Sequence, residues 1–129
     1  MYLVDTSAWI RHFSKSDVFD LRTICVPDER LICPPVYQEV LQGIKDEAVF
    51  RTIKWILDSG EMVEDPLVRE VFVEAASLFR GARRQGITVR SSVDCIIAAC
   101  AIRHDLVVLH HDRDYEQLAH VSALRERSV

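Results

Sequence analysis

The sequence predicts an α/β fold in which helices cover both faces of a mostly parallel central sheet. Two short apolar runs, at residues 2–4 and 106–111, are typical of strands buried inside a parallel sheet. Segments with apolar residues at helical spacing lie between the strand candidates, and this alternation indicates βαβ units. Because the 129 residues contain no linker, repeat or low-complexity segment, we expect one domain over residues 1–129.

The first half of the chain is predicted to contain two strands and four helical segments. Pro35 suits the first turn of a helix, and Gly43 and Gly60 suit positions just after a helix ends. In chain order, the expected elements are a strand at 2–4, helices at 7–13 and 17–26, a strand at 31–33, and helices at 35–43 and 46–59.

The second half continues this alternation and contains the longest predicted helix. Asp65 is placed to cap this helix, Pro66 to occupy its first turn and Gly86 to end it. The other expected elements are a short strand at 61–64, an almost wholly apolar helix at 91–101, a strand at 106–111, a helix at 113–119 and an edge strand at 121–124.

Four acidic residues lie where separate segments could bring them together. Asp5 and Asp112 directly follow strand candidates, and the carboxyl ends of parallel strands border the ligand crevice of an open α/β sheet. Glu39 and Asp94 lie on predicted helices, the latter on the apolar one. Local roles are the alternative, since Ser91 and Asp94 fit a capping-box pattern and Asp112 could cap the helix that follows it.

A cluster of carboxylates at neutral pH requires protons or cations to offset its negative charge. Carboxylate oxygens are hard ligands that select Mg²⁺ or Mn²⁺ over softer metals. A divalent ion bound in this way can activate water and bind a phosphodiester. The four acids together therefore predict a nuclease.

Composition agrees with a compact intracellular enzyme. The chain is 49% hydrophobic and 28% charged, which excludes a disordered protein. We expect a cytoplasmic location, because no segment approaches the roughly 20 apolar residues of a membrane span and no basic, apolar leader begins the chain. The four cysteines lack C-x-x-C pairs and are expected to be reduced core residues, while the histidines lack the spacing of a zinc site.

Most of the basic residues are arginines, although the net charge is −4. Thirteen of the sixteen are Arg, whose guanidinium suits bidentate contacts with phosphate. Arg80, Arg83 and Arg84 cluster near the end of the longest helix, and Arg90 precedes the third acid. These four are candidates for nucleic-acid binding. For the first three, stabilisation by the helix dipole is the alternative explanation.

Four segments of the chain, in order, resemble the motifs of the PIN-domain ribonucleases, and within them the VapC toxins of bacterial toxin–antitoxin pairs. They are VDTSAW at 4–9, VYQEVLQG at 36–43, VRSSVDCIIA at 89–98 and LHHDRDY at 109–115. The resemblance runs nearly end to end, and four motifs in family order are far more specific than any one of them. It implies a three-layer α/β/α PIN-like fold.

The resemblance also implies a Mg²⁺- or Mn²⁺-dependent endoribonuclease that acts as a toxin. The residues it assigns are Asp5, Glu39, Asp94 and Asp112 as catalytic acids, with Asp5, Asp94 and Asp112 holding the metal, and Asp114, Thr6 and Ser7 as auxiliary groups. The partners it implies are an RNA substrate, a VapB-like antitoxin and a second copy of the chain in a homodimer.

His110 departs from the family pattern, because many relatives carry Thr two residues before the fourth acid. The hydrogen bonding around Asp112 is therefore open, and His110 and His111 are candidate proton donors to a leaving oxygen. Trp9 and Phe13 could belong to the core or to an interface. The target RNA, the number of metal ions and the identity of the antitoxin are also open.

Two other functions fit parts of the pattern. A receiver-like phosphotransfer domain also places acids at strand ends, but it needs paired acids after the first strand and a late Lys. This chain has Asp5 alone and no Lys beyond Lys54. A noncatalytic PIN-like interaction module would keep the fold, but it has no evident need for acids at all four positions.

Overall fold

A computed structural model describes all 129 residues, and its centre is a five-stranded sheet in which every neighbouring pair of strands is parallel. The strands are β1 (Tyr2–Val4), β2 (Arg30–Ile32), β3 (Glu61–Met62), β4 (Val107–His110) and β5 (Arg125–Ser128). Their order across the sheet is β3-β2-β1-β4-β5, so β1 is central. The prediction of an α/β fold with a mostly parallel sheet is confirmed.

Six α-helices connect the strands and complete the three-layer α/β/α architecture. They are α1 (Thr6–Phe13), α2 (Pro34–Gln42), α3 (Glu47–Asp58), α4 (Arg69–Arg84), α5 (Ser92–Arg103) and α6 (Arg113–His120). Helix α4 packs mainly against α5, and α1 packs against α2. None of the helices combines the length and the apolar character that a bilayer-spanning segment needs.

The core lies around the two central strands and the apolar helix α5. Leu3 in β1 and Val108 in β4 have no exposed surface, and neither does the run from Ile97 to Ala101 in α5. All four cysteines are buried and free, as expected. Trp9 is buried and stacks on Phe13 with ring centroids 5.5 Å apart, so Trp9 belongs to the core.

The predicted helix at 17–26 is wrong, because only a 3-10 turn at Leu21–Thr23 forms there. The carboxylate of Asp17 accepts from the backbone N–H of Phe19, and that of Asp20 accepts from the N–H of Arg22, at 3.0 and 2.9 Å. These local bonds offer the backbone an alternative to helical hydrogen bonds.

The longest helix begins later than predicted. Asp65 and Pro66 lie outside α4, and the N-cap is Val68, which has an extended backbone and makes no side-chain cap bond. The chain just before this segment is anchored by Glu64, whose carboxylate accepts from Arg103 at 2.7 Å and is 3.0 Å from His104. Glu64 itself has a left-handed backbone conformation (φ 55°), which is not that of a right-handed helix.

The last strand also lies further along the chain than the predicted 121–124. Ser122 donates to the carbonyl of Leu118 at 2.6 Å and accepts from the N–H of Leu124 at 3.2 Å. This turn leaves 121–124 without strand pairing, and β5 pairs with β4 from Arg125 onwards. Adjacent strands β1 and β4 end at the same edge of the sheet, which brings Asp5 and Asp112 to one place.

Candidate active site

Asp5 follows β1 and caps the first turn of α1. One carboxylate oxygen, Oδ2, accepts from the backbone N–H of Ser7 at 2.9 Å and also from the Ser7 hydroxyl. The other, Oδ1, accepts from the hydroxyl of Tyr115 at 2.6 Å. Asp5 is only 4% exposed, so these donors replace water around a buried charge.

Asp94 lies in the first turn of α5, and its side chain is incompletely hydrogen-bonded. The Tyr115 hydroxyl lies 3.5 Å from Oδ1, whereas the buried Oδ2 has no partner. Burial raises the pKa of Asp94 to about 8. The nearby negative charges add to this, and they belong to Asp5, Asp112, Asp114 and Glu39. Ser91 makes no capping bond, so the capping-box alternative for Ser91 and Asp94 is wrong.

The carboxylates of Asp94, Asp112 and Asp114 form the tightest group of acids. Each offers one oxygen, and these oxygens lie within 4.8 Å of one another. Asp112 also caps α6, because its Oδ1 accepts from the N–H of Asp114 at 3.0 Å. Capping and clustering are therefore compatible roles for this residue.

Arg90 lies beside this group and offsets part of its charge. Its Nη2 donates to Oδ1 of Asp112 at 3.2 Å, and its Nε is 3.5 Å from Oδ1 of Asp114. Its backbone N–H also donates to Oδ2 of Asp114 at 3.1 Å. The Arg90 side chain is 64% exposed, so the guanidinium can leave the acids without disturbing the core.

Glu39 reaches the site from α2, where its Oε1 accepts from the Thr6 hydroxyl at 2.9 Å. Thr6 is adjacent to Asp5 in the chain. Ser7 also donates to Asp5 and accepts from the backbone N–H of His111 at 2.9 Å. Thr6 and Ser7 therefore connect three of the segments that carry the acids.

The predicted site residues are distributed unevenly around this group. Two of the three predicted metal ligands, Asp94 and Asp112, belong to the group. Its third member is Asp114, which the sequence suggested only as an auxiliary residue. Asp5 lies outside the three and shares the Tyr115 hydroxyl with Asp94. The catalytic roles themselves remain predictions.

Arg80, Arg83 and Arg84 are exposed on α4 and make no ion pair or hydrogen bond with the acids. Arg83 lies over the ring of Phe79 at 6.0 Å. Of the four predicted RNA-binding arginines, only Arg90 contacts the acids, where it pairs with carboxylates.

Sequence reasoning missed Tyr115, which is fully buried and donates to Asp5. Burial, together with the charges of Asp5 and Asp94, raises its pKa well above 10, so the hydroxyl remains a proton donor. The sequence did contain a signal that Tyr115 is buried, because Tyr115 and Leu118 are three residues apart and therefore lie on the same face of α6. Glu126, which pairs with His110, had no signal of this kind.

The donor set fits a hard divalent cation. All the candidate ligand atoms are carboxylate oxygens, which Mg²⁺ and Mn²⁺ prefer. The buried Oδ2 of Asp94 has no hydrogen-bond partner in the protein. A bound cation would provide the missing partner for this oxygen.

Comparison with known proteins matches almost the whole chain to the family that its sequence motifs resemble. The model of the PIN domain family matches residues 2–121. The chain is 34% identical over 135 aligned positions to VapC ribonuclease Mb1587 of Mycobacterium bovis and to ribonuclease VapC11 of Mycobacterium tuberculosis, covering 99% of this chain and 98% of each relative.

Among solved structures, VapBC2 from Rickettsia felis bound to a promoter DNA fragment is similar, with a TM-score of 0.78. Its sequence identity is 13%, with 99% of this chain and 98% of that chain covered, so this likeness concerns the fold. The family match, the identity to VapC ribonucleases and the acids at the end of the parallel sheet agree. This chain belongs to the PIN domain family.

Proposed function

We propose that this chain is a metal-dependent endoribonuclease that acts as the toxin of a toxin–antitoxin pair, with residues 1–129 forming one nuclease domain. The observation that carries the proposal is the group formed by Asp94, Asp112 and Asp114, in which one buried oxygen of Asp94 has no partner. Identity of 34% to VapC ribonucleases supports RNA as the substrate. No specific feature favours a receiver-like or a noncatalytic domain.

The group would hold Mg²⁺ or Mn²⁺ through Asp94, Asp112 and Asp114, with Asp5 close by. When bound, such an ion supplies Lewis acidity towards a phosphodiester and makes water a stronger nucleophile at neutral pH. Tyr115 would orient Asp5 and Asp94, because its protonated hydroxyl lies between their carboxylates. Glu39 would add negative charge at the border of the site, held there by Thr6.

Arg90 is the residue we propose to bind an RNA phosphate. It is mostly exposed, and its pairing with Asp112 is a surface contact that contributes little stability. A cation bound to the acids would repel the guanidinium and leave it available to a phosphate oxygen. Arg80, Arg83 and Arg84 are exposed on α4 and could extend such a contact surface, although nothing ties them to the acids.

The partner we propose is a small antitoxin, because a solved structure of similar fold is described as a toxin–antitoxin complex from Klebsiella pneumoniae. A basic side chain of such a partner would be stabilised among the acids that otherwise hold the cation. We also propose a homodimer. Its contact surface would include the exposed apolar residues Phe72 and Val73 on α4, which are 48% and 61% exposed.

Cleavage of structured RNA by the purified chain, free of any antitoxin, tests the nuclease proposal. Activity should require Mg²⁺ or Mn²⁺, disappear in chelator and disappear in Asp94→Asn. Glu116→Gln is the matched control, because Glu116 is an exposed acid on α6 outside the cluster. Cleavage that survives both chelator and Asp94→Asn would contradict the proposal.

The toxin proposal has a separate test in living cells. Expression of the wild-type chain alone should slow growth, whereas Asp5→Ala should not. Equal growth with both proteins would remove the toxin role and leave the nuclease role standing.

A further inference from the structure

His110 at the end of β4 has no exposed surface, and both of its ring nitrogens have partners. Its Nδ1 lies 3.1 Å from the backbone nitrogen of Asp112, and its Nε2 lies 2.7 Å from Oε2 of Glu126. A buried imidazole is costly unless both nitrogens are hydrogen-bonded. These two contacts explain how the core tolerates it.

The contacts determine which nitrogen carries the proton. A backbone N–H can only donate, so Nδ1 of His110 must accept from Asp112 and is unprotonated. The proton of the neutral ring is therefore on Nε2, from which it is donated to the Glu126 carboxylate. Glu126 thus selects the tautomer that the Asp112 backbone needs.

Strand register places Glu126 next to His110. In the parallel pairing of β4 with β5, His110 is opposite Ser128 and Val108 is opposite Glu126. Side chains two residues apart in a strand point to the same face, so Glu126 lies diagonally beside His110 on one face of the sheet. The C-terminal edge strand therefore reaches the site through this pair.

The ring of His110 also contacts Tyr115, the residue that links Asp5 with Asp94. It packs against the ring of Tyr115, with centroids 5.0 Å apart, and the Tyr115 hydroxyl donates to Asp5 at 2.6 Å. A single side chain thus supports the backbone of Asp112 and the ring that orients Asp5. We propose that His110, held by Glu126, is a positioning residue that holds Asp112 and Tyr115 in place for cation binding. This inference rests on the proposed function, because it takes Asp112 to be a ligand.

Partners that orient a ligand typically contribute 10- to 100-fold to metal affinity. Direct Mn²⁺ titration of the protein without RNA measures this contribution. His110→Leu should weaken Mn²⁺ binding at least about tenfold and speed hydrogen exchange of the Asp112 amide. His110→Asn, whose carbonyl oxygen can replace Nδ1 as the acceptor, should restore most of the affinity. Glu126→Gln, which still offers an acceptor to Nε2–H, should bind nearly as the wild type does.

His104 provides a matched control, because it also pairs with a glutamate, Glu64, at 3.0 Å. This pair joins the end of α5 to the segment before α4 and touches none of the clustered acids. His104→Leu should leave Mn²⁺ affinity unchanged even if it lowers thermal stability. If the loss of any histidine–glutamate pair were enough, Mn²⁺ binding would instead weaken in both leucine variants.

Nitrogen-15 NMR of the imidazole gives a readout that does not depend on activity, and for the wild type it does not depend on the folding of any variant. The metal-free wild type should show His110 protonated on Nε2 alone, and Glu126→Ala should shift the ring towards a mixture of tautomers. A ring protonated on Nδ1, or a His110→Leu protein with wild-type Mn²⁺ affinity, would overturn the inference.

Asp112→Asn separates this inference from the proposed function. If Asp112→Asn loses Mn²⁺ affinity while His110→Leu retains it, only the positioning role fails. If Asp112→Asn binds Mn²⁺ as well as the wild type does, the ligand assignment fails, and the positioning role fails with it.

Discussion

Replacing Asp94 by asparagine should stabilise the metal-free protein while abolishing RNA cleavage. Burial, followed by nearby carboxylates, raises the pKa of Asp94 from 3.8 to about 8. At pH 7 the folded protein therefore keeps a proton on Asp94 that the unfolded chain releases. This difference in protonation lowers the free energy of unfolding by at most about 4 kcal/mol, because each tenfold difference in proton affinity corresponds to about 1.36 kcal/mol. Since Asp94 is only partly buried and water screens its charge, we expect about 1 to 2 kcal/mol.

The sign of the pH dependence follows from the raised pKa. Below pH 3.8 the carboxyl group is protonated in both the folded and the unfolded state, so the asparagine variant gains nothing from this source. As the pH rises from 3.8 towards 8, the folded wild type loses stability relative to the variant. Above about pH 8 the difference is constant.

Thermal unfolding in chelator measures this difference. A gain of 1 to 2 kcal/mol should raise the Tm of Asp94→Asn by roughly 4 to 8 °C at pH 7, and by less at pH 5. Added Mn²⁺ should stabilise the wild type by mass action and the variant much less, because the variant lacks one of the proposed ligands. Glu116→Gln controls for the loss of an exposed charge. A destabilised Asp94→Asn protein with an undiminished Mn²⁺ shift would refute the reasoning.

Three further changes test other contacts of the structure. Tyr115→Phe should cost about 1 to 3 kcal/mol in urea unfolding and reduce cleavage, because it leaves a buried oxygen of Asp5 without its donor; undiminished cleavage would argue against an orienting role. Arg90→Ala should weaken RNA binding and lower its salt slope by about 1, while tightening Mn²⁺ binding up to about fivefold; an unchanged slope would mean that Arg90 does not contact phosphate. Glu64→Gln should lower the free energy of unfolding at pH 7, where the ion pair with Arg103 holds the pKa of Glu64 below 4.5. The difference in free energy of unfolding between the wild type and Glu64→Gln should disappear as the pH falls through the folded pKa of Glu64. Chemical unfolding at several pH values measures it.

The sequence alone determined the features that depend on neighbours in the chain. Apolar runs placed β1 and β4, and acids directly after those runs placed Asp5 and Asp112 at one edge of a parallel sheet. Helical spacing placed Asp94 on an apolar helix, where a charged group needs a partner. Local side-chain bonds account for the wrong second helix, since the carboxylates of Asp17 and Asp20 compete for backbone N–H groups in that segment.

Only the tertiary structure decided which acids lie together and what supports them. Asp114 joins Asp94 and Asp112 in the tightest group, whereas Asp5 is connected through Tyr115, 110 residues away in the chain. His110 meets Glu126 because β5 pairs with β4 in one register, and a shift of one residue would move Glu126 to the opposite face. These contacts depend on the distances between atoms of different helices and strands, which must be correct to within the length of a hydrogen bond. Residue spacing along the chain specifies an element and its face, but it does not specify distances between elements.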